Sequence, residues 1–425
     1  MITDLFRRII GKKDKFLFRG YQEKMVDFKA IDHETGIYIH IPFCQTLCPY
    51  CPYNKVLYDK TKALAYKEAM IQELMLYQEY ISSKNISSVY IGGGTPTLLL
   101  SELREILEFI RDNYHFKGDI GIEIHPNDAN EALFRELETL GITLISLGVQ
   151  TFNDEILKQL GRNYRAHDID QVLSMVKNFK FKCVDIDIMT NLPGQTMEDI
   201  KYDLQKIYSY KIDQLSIYPL IIFPLTNLGK QVKQKGRGLS RFNEIQEGKI
   251  LSLIDTISKD HGYERSSVWT YGKDHNNRYT SVTRESFVGF GAGATSLFGN
   301  YFYLNTFHVD EYIQALKQKR MPINLVNTMN KREKMIFWIF WRCYDGVIDA
   351  QRFHQLFGEN IEKEFRLLFF LLKLFRLCKK QNSIYLLTDW GRFAYHYVEK
   401  QYSLHYLNHL WAESMQQPWL EEIEI

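Results

Sequence analysis

The feature that most constrains the fold is a sixfold alternation of short apolar segments and longer amphipathic segments between residues 36 and 225. The short segments are rich in β-branched residues, as buried strands are, and the segments that follow them have the apolar spacing of helices. Strands are predicted at 36–43, 87–94, 119–126, 144–150, 182–190 and 214–222. This series is typical of a parallel sheet with crossover helices, and it fits either a doubly wound sheet or a partial or full barrel.

Polar and glycine-rich residues recur at the same end of these predicted strands. The segment GGGTPT ends the second strand, while Glu123, Gln150 and Asp187 lie at or near the ends of the next three. In a βα barrel the functional groups gather at the carboxyl ends of the strands. We therefore expect these strand ends to converge on one site.

The loop after the first strand holds three of the six cysteines, Cys44, Cys48 and Cys51, spaced as C-x3-C-x2-C. A structural zinc ion takes four ligands, usually as two pairs, and the sequence has no second pair at matching spacing. His40 is the nearest additional candidate, but it falls in an extended segment expected to point away from the loop. An odd cluster also disfavours disulfides. A [4Fe–4S] cluster fits better, because three thiolates leave one iron open for a substrate or cofactor.

From about residue 36 to 400 the chain resembles the radical S-adenosylmethionine (SAM) enzymes. It is most similar to the oxygen-independent coproporphyrinogen III dehydrogenase family, which includes haem-chaperone-like and methylating members. The matching segments, in family order, are YIHIPFCQTLCPYC, YIGGGTPT, LISLGVQTFNDEILKQLGR, DIDIMTNLPGQT and VGFGAGATS. The resemblance implies an α/β fold with a partial (β/α)6 TIM-like barrel, a [4Fe–4S] cluster and SAM as cofactors. It also implies reductive cleavage of SAM to a 5′-deoxyadenosyl radical.

The resemblance also implies roles for individual residues. The cluster ligands would be Cys44, Cys48 and Cys51. The implied SAM-binding residues are Tyr38, Gly92, Gly93, Gly94, Thr95, Glu123, Gln150, Arg162 and Asp187. Glycine suits a backbone that must approach a ligand closely, and an arginine can clamp a carboxylate with two hydrogen bonds. The ordinary alternatives are a tight turn for the glycines and a helix end for Arg162, and no residue is assigned to catalysis on the substrate.

The sequence divides into four predicted parts. Residues 1–35 are an N-terminal extension, 36–225 the partial barrel, and 226–325 a barrel extension on the substrate side. Residues 326–425 are a mostly helical, winged-helix-like domain, by resemblance a cap over the barrel mouth. In the third part, Arg278, Tyr279 and Arg284 are candidates to border a substrate. DNA binding is the alternative for a winged helix, and the mixed charge of this region disfavours it.

Composition excludes some functions. Net charge is +2, from 53 basic and 51 acidic residues, which gives no reason to expect nucleic acid or an anionic membrane as the main partner. No apolar run reaches the roughly 18–20 residues that span a bilayer. The nearest, LLFFLLKLF at 367–375, is predicted to be a buried helix. The aromatic content of 14% suits an aromatic core or a pocket for a flat ligand. Cysteine usage predicts a reducing, cytoplasmic location.

Two departures from the family limit the functional prediction. Tyr53 stands where the dehydrogenases carry a further cysteine, and Thr190-Asn191 replaces their usual Tyr-Gly. Both put coproporphyrinogen decarboxylation in doubt. Three hypotheses remain: a radical SAM oxidoreductase acting on a tetrapyrrole or another large organic substrate, a radical methylase that uses two SAM molecules, and a haem-binding chaperone with little turnover. Either enzyme would need a reductase such as flavodoxin or ferredoxin.

Overall fold

The structure is a computed structural model that describes residues 16–235, 241–273 and 285–425. The candidate substrate neighbours Arg278, Tyr279 and Arg284 lie outside the described residues, as does the first part of the predicted N-terminal extension.

The strands are numbered in chain order over the described residues. They are β1 (Leu17–Gly20), β2 (Glu34–Ile41), β3 (Phe43–Cys44), β4 (Val56–Leu57), β5 (Asn85–Gly93), β6 (His115–Ile124), β7 (Leu144–Gln150), β8 (Cys183–Thr190), β9 (Gln214–Pro219), β10 (Glu264–Arg265), β11 (Thr270–Gly272), β12 (Phe287–Phe290), β13 (Thr295–Phe298), β14 (Tyr301–Asn305), β15 (Ile323–Thr328), β16 (Val347–Asp349), β17 (Cys378–Gln381), β18 (Ile384–Leu387) and β19 (Glu422–Glu424).

The helices are numbered in the same way. They are α1 (Lys60–Ile81), α2 (Leu100–Asn113), α3 (Glu131–Thr139), α4 (Asp154–Gln159), α5 (Ala166–Val176), α6 (Met197–Ser209), α7 (Asn227–Lys235), α8 (Glu244–Asp260), α9 (Val309–Lys317), α10 (Lys331–Asp345), α11 (Ala350–Phe357), α12 (Ile361–Glu364), α13 (Arg366–Leu374), α14 (Asp389–Tyr402) and α15 (Asn408–Gln416), with one π-helical turn at Ser403–Leu407.

The six predicted strands are confirmed as β2, β5, β6, β7, β8 and β9. They pair in parallel and lie side by side in chain order. In a doubly wound sheet the order of the strands reverses at one point, so the order seen here excludes that fold and matches the predicted partial barrel. The carboxyl ends of these six strands therefore lie at the same edge of the sheet.

Side-chain alternation along these strands separates the core from the barrel interior. On β2, Ile37, Ile39 and Ile41 are fully buried in the hydrophobic core, whereas Tyr38 and His40 face the opposite side. The same alternation recurs on β6 and β8, where isoleucines alternate with Glu123, Asp185 and Asp187. The helices cover the apolar face, so the polar residues are left inside the barrel.

The sheet continues beyond the six strands. On one side β12 pairs in parallel with β2, and β13, β14 and β15 follow in antiparallel order. β1 lies between β15 and β19, so segments from near both ends of the chain join the same sheet. The four-part division of the chain remains a prediction.

The C-terminal region is mostly helical, as predicted. Helices α10 to α13 precede the β17–β18 hairpin, and β16 completes a three-stranded sheet in a winged-helix-like order. The helix predicted at 367–375 is present as α13, but the expectation that it is buried holds for one side only: Leu368, Phe369 and Leu372 are buried, whereas other large apolar side chains of this segment face solvent. The 3.6-residue period of the helix puts the buried and the exposed side chains on opposite faces. A count of apolar residues along the sequence does not show this.

A buried carboxyl group, Glu73 of α1, fastens the elements beside β2. It accepts hydrogen bonds from the backbone N–H of Gly291 (2.9 Å), the Asn305 side chain (2.7 Å) and the Tyr312 hydroxyl (2.6 Å). Burial raises the pKa of Glu73 from 4.5 to about 7. The glycine segment after β12 is thereby tied to α1, β14 and α9.

We expect Glu73→Ala to lower the free energy of unfolding by about 3 kcal/mol, because three buried donors lose their acceptor. Urea unfolding measures this, and Glu79→Ala, at an exposed position of the same helix, should change the free energy of unfolding little.

Stability should also depend on pH through Glu73. Since the folded pKa of Glu73 lies above its unfolded value, its contribution to stability is complete below pH 4.5 and is lost as pH rises through about 7. Glu73→Gln should remove that slope; an unchanged pH profile in this variant would contradict the assignment.

Candidate active site

The cysteine loop leaves the sheet at the end of β2. Cys44 lies on β3, which pairs with β4, and it is buried, whereas Cys48 and Cys51 are partly exposed. The backbone N–H of Cys51 donates to the Cys48 carbonyl (3.3 Å), and the Lys55 ammonium donates to the Cys51 carbonyl. Burial raises the pKa of the Cys44 thiol to about 11, so its thiolate form calls for a bound cation.

The glycines that end β5 lie directly against this loop. The backbone N–H groups of Gly94 and Thr95 donate to the carbonyls of Ile41 and Phe43, both at 2.7 Å. A Cβ atom on Gly94 would lie 2.8 Å from Cys44 Sγ and 2.6 Å from the Phe43 carbonyl oxygen. Only glycine therefore lets the second strand end approach the cysteines this closely.

A [4Fe–4S] cluster and a single zinc ion place different demands on the thiols. The sulfur ligands of a tetrahedral zinc would lie about 3.8 Å apart. In a [4Fe–4S] cluster each thiolate binds a different iron, so the three thiols need not meet at one ion. Among the residues that the structure describes, no three His, Cys, Asp or Glu side chains converge where one metal ion would fit. Cys44, Cys48 and Cys51 remain the predicted cluster ligands.

His40 is not available as a fourth ligand. Its Nε2 lies 3.0 Å from the Asn54 carbonyl oxygen, which can only accept, so Nε2 carries the proton. Burial lowers the pKa of His40 to about 4, so the ring is neutral and Nδ1 accepts from the Tyr38 hydroxyl at 2.8 Å. Both ring nitrogens are occupied, and the His40 ring lies against Gly93 at the end of β5.

Glu123 meets the glycine segment from β6. Its carboxylate accepts from the Tyr90 hydroxyl (2.7 Å) and from the backbone N–H of Gly93 (3.1 Å). A Cβ atom on Gly92 would lie 2.8 Å from the same carboxylate. Burial raises the pKa of Glu123, so a cation beside it would be favoured.

Gln150 ends β7 in a strained conformation. Its φ is +72°, a region that residues other than glycine seldom adopt, and its side chain is buried. It pairs with Ile188 across β8, which places it one step from Asp187. Such strain costs roughly 1–3 kcal/mol and concentrates at functional sites.

Arg162 joins the site through the cysteine loop. Its Nη2 and Nε donate to the Tyr50 hydroxyl at 2.6 and 3.1 Å, and Tyr50 lies between Cys48 and Cys51. The guanidinium also lies over the rings of Tyr50 and Tyr164. His125 packs edge-on against Tyr164, and burial lowers its pKa to about 3, which suits a packed neutral side chain.

Two carboxyl groups on β8 face the barrel interior together. Ser146 donates to Asp187 (2.8 Å), and Ser216 donates to Asp185 (2.9 Å). Burial raises the pKa of Asp185 to about 7, and burial together with Asp185 raises that of Asp187. Asp187 is a residue predicted from the resemblance, whereas Asp185 was not predicted as part of the site.

Asn191, which stands where the family has glycine, has a backbone conformation that glycine could also adopt. Asn191 has a φ of +58°, which asparagine tolerates better than most residues and which glycine adopts freely. Its side chain accepts from the Phe242 backbone N–H (2.8 Å) and donates to Glu247. Asn191 thus serves the backbone and the packing of α8, and Thr190 beside it is buried.

Tyr53 follows Cys51 by two residues, and it lies near the polar ends of the strands. Its side chain is 55% exposed, yet burial raises its pKa, followed by the charges of Glu123, Cys51 and Asp187. Its ring packs against Trp411 of α15 at 5.7 Å, and Trp411 in turn stacks on Phe223 at 6.0 Å and 20°. We name Tyr53, Trp411 and Phe223 the aromatic wall.

The fold thus brings the predicted residues to one edge of the sheet, although their roles as cluster and SAM ligands remain predictions. Sequence reasoning missed several neighbours, namely Tyr50, Tyr90, Ser146, Asp185, Phe223 and Trp411. Strand alternation could have identified Tyr90 and Asp185, because both fall on inward positions. Nothing local marks Trp411, which follows the cysteine loop by more than 300 residues.

Comparison with known proteins agrees with this arrangement. The model of the Radical SAM superfamily matches residues 38–207. The heme chaperone HemW of Lactococcus lactis is 30% identical over 336 residues, 77% of this chain and 86% of the relative. HemW of Bacillus subtilis is 28% identical over 334 residues, 76% of this chain and 87% of the relative. The oxygen-independent coproporphyrinogen III oxidase of Pseudomonas aeruginosa is 26% identical over 359 residues, 80% of this chain and 76% of the relative.

The fold has a solved counterpart. The structure of coproporphyrinogen III oxidase (HemN) from Escherichia coli matches with a TM-score of 0.79 and 21% identity, over 92% of this chain and 95% of that chain. The sheet, the cysteine loop and the sequence match define a radical SAM protein, which uses a [4Fe–4S] cluster and SAM. Within that superfamily, the chain belongs to the family that contains the HemW heme chaperones and the oxygen-independent coproporphyrinogen III oxidases. Across the described residues, none of the helices has the length and apolarity needed to cross a membrane.

We expect Gly94→Ala to reduce bound iron and sulfide strongly after anaerobic reconstitution, because the added methyl group collides with Cys44 and Phe43. Iron and sulfide analysis with the visible spectrum measures this. Gly262→Ala is the control: its φ of +77° strains an alanine, but nothing lies within 4 Å of the added atom. Iron content in Gly94→Ala equal to that of the control would show that the close approach is not needed.

Proposed function

We propose that this chain is a radical SAM enzyme that acts on a tetrapyrrole, either haem-like or coproporphyrinogen-like. The observation that carries the proposal is the proximity of a cysteine loop, buried carboxyl groups and a partly exposed aromatic wall. The names of the relatives point the same way, because heme and coproporphyrinogen III are both tetrapyrroles.

The cofactor side of the cleft is assigned to residues at the strand ends. Cys44, Cys48 and Cys51 would hold the cluster, and the backbone of residues 92–95 would line the amino end of SAM. When bound, these cofactors supply one-electron chemistry that the protein alone does not provide. Glu123 would balance the positive charge of SAM from a buried position, and Gln150 and Asp187 would complete the SAM-facing edge.

The substrate side is assigned to the aromatic wall. Tyr53 and Trp411 offer flat faces at the open side of the cleft, where a macrocycle can stack. Phe223 supports Trp411 from behind, and the Asn408 side chain accepts from the Leu225 backbone N–H (3.0 Å), which fixes α15 to the barrel. A large flat ligand would therefore lie between the wall and the carboxyl groups.

The strained and buried groups favour an enzyme over a carrier of haem. Gln150 holds a costly φ, and Asp185 and Asp187 keep two carboxyl groups side by side inside the barrel. Binding haem alone needs neither feature, whereas orienting a reactive cofactor beside a substrate needs both position and charge. We therefore propose an enzyme rather than a haem chaperone.

The test is anaerobic reconstitution with iron and sulfide, followed by SAM, dithionite and a panel of haem, coproporphyrinogen III and no substrate. We expect 5′-deoxyadenosine that depends on the tetrapyrrole, together with a modified tetrapyrrole detected by mass spectrometry. Cys48→Ser should abolish both. S-adenosylhomocysteine formed in parallel would identify the methylase, and stable haem binding with no product would favour the chaperone and overturn the proposal.

We expect Tyr53→Ala to weaken tetrapyrrole binding about tenfold, since one stacking face is lost. Soret-band titration measures the dissociation constant, with SAM binding followed in parallel by equilibrium dialysis. Tyr202→Ala is the matched control, because Tyr202 on α6 is 53% exposed and lies outside the cleft residues. Equal weakening in both variants, or none in Tyr53→Ala, would remove the wall from the substrate site.

A further inference from the structure

The apolar run at 367–375 leaves much of its surface in solvent. Five large apolar side chains of this part of the chain are about half exposed: Leu367 (49%), Phe370 (59%), Leu374 (57%), Phe375 (58%) and Trp390 (58%). The spacing of the first three puts them on one side of α13, opposite the buried Leu368, Phe369 and Leu372. We name the five exposed residues the apolar stripe. A group of large apolar side chains left in solvent is typical of an interaction site.

Trp390 belongs to the stripe although it lies on α14. The backbone N–H of Thr388 donates to the Leu377 carbonyl (3.0 Å), and its hydroxyl donates to the Arg376 carbonyl (2.9 Å). These bonds hold the first turn of α14 against the turn that follows α13. Trp390, two residues after Thr388, therefore lies near the C-terminal end of the stripe.

Positive charge surrounds the stripe. Residues 360–392, which include the whole stripe and the exposed Asp389 beside Trp390, hold seven basic and three acidic residues, a net charge of +4, although the whole chain carries only +2. One of the three acids, Glu362, is already paired with Lys380 (3.0 Å) and Lys373 (3.5 Å). Arg366, Arg376 and Lys379 are exposed. Overall composition hid this local concentration of charge.

The chemistry of the stripe excludes the occupant usual for a winged helix. Helix α13 precedes the β17–β18 hairpin, the position of a helix that reads the DNA major groove. Base edges are read by hydrogen-bonding side chains, whereas the outer face of α13 presents Leu367, Phe370 and Leu374. A second copy of the chain fits poorly too, because a twofold interface would set two surfaces of charge +4 against each other.

We propose that the apolar stripe binds the surface of an anionic lipid membrane. A helix that lies in such a surface inserts Phe, Leu and Trp side chains among the acyl chains and keeps Lys and Arg near the anionic headgroups. Tryptophan is favoured at the boundary itself, which suits Trp390 at the end of the stripe. Each basic side chain adds attraction that salt weakens. The inference concerns peripheral attachment and is independent of the proposed function.

The test is sedimentation of the full chain with lipid vesicles. One set contains phosphatidylcholine alone, and in the other roughly a third of the lipid is phosphatidylglycerol. We expect binding to the anionic vesicles that weakens as salt is raised, and at least about tenfold weaker binding to the neutral ones.

Variants locate the surface. Phe370→Ser combined with Phe375→Ser should weaken binding at least about tenfold, and Arg366→Glu combined with Lys379→Glu should do the same. The controls lie on α8, where Ile245→Ser removes a side chain that is 74% exposed and Lys249→Glu reverses an exposed charge. Circular dichroism checks that each variant is folded.

Three results would overturn the proposal. One is the absence of binding to both kinds of vesicle, and another is binding that the stripe variants leave unchanged. The third is a concentration-dependent dimer in sedimentation velocity that the Phe370→Ser, Phe375→Ser variant abolishes, since the stripe would then be an interface between two copies.

Discussion

The structure depends on the junction where the end of β5 meets the start of the cysteine loop. Two backbone hydrogen bonds, from Gly94 to Ile41 and from Thr95 to Phe43, hold the second strand end against Cys44. Because Gly94 has no side chain, its backbone can lie where a methyl group would touch the cysteine sulfur. The place of the cysteine loop relative to the barrel therefore follows from sheet pairing, and the buried carboxyl groups of the site are positioned from the same sheet.

The second constraint is the alternation of side chains along the parallel strands. A strand buried on its helix-facing side by isoleucines presents its intervening residues to the barrel interior. Glu123, Asp185 and Asp187 are polar residues at such positions, and tyrosine and serine hydroxyls satisfy them. The barrel thus buries carboxyl groups with raised pKa values where a cationic cofactor would lie, and the open side of the cleft is left to aromatic residues.

Much of this arrangement could be predicted from the sequence, and the rest could not, for physical reasons. The six strands, their shared end and the cysteine loop were predictable, because hydrophobic periodicity and motif spacing are local signals. The strand bounds shifted by a few residues, most at the first part of β6, which begins at His115, before the predicted 119. Trp411 was not predictable, since its approach to Tyr53 depends on how a C-terminal helix docks on the barrel. The exposed face of α13 was missed because a run of apolar letters does not show which side has a partner.

The most direct test of the central claim is electron paramagnetic resonance of the anaerobically reconstituted, dithionite-reduced chain, recorded before and after addition of SAM. The account predicts the half-integer-spin signal of a reduced [4Fe–4S] cluster, and a clear change in its shape when SAM reaches the iron that no cysteine holds. A chain that binds one zinc and gives no signal, or a cluster signal that SAM leaves unchanged, would contradict it.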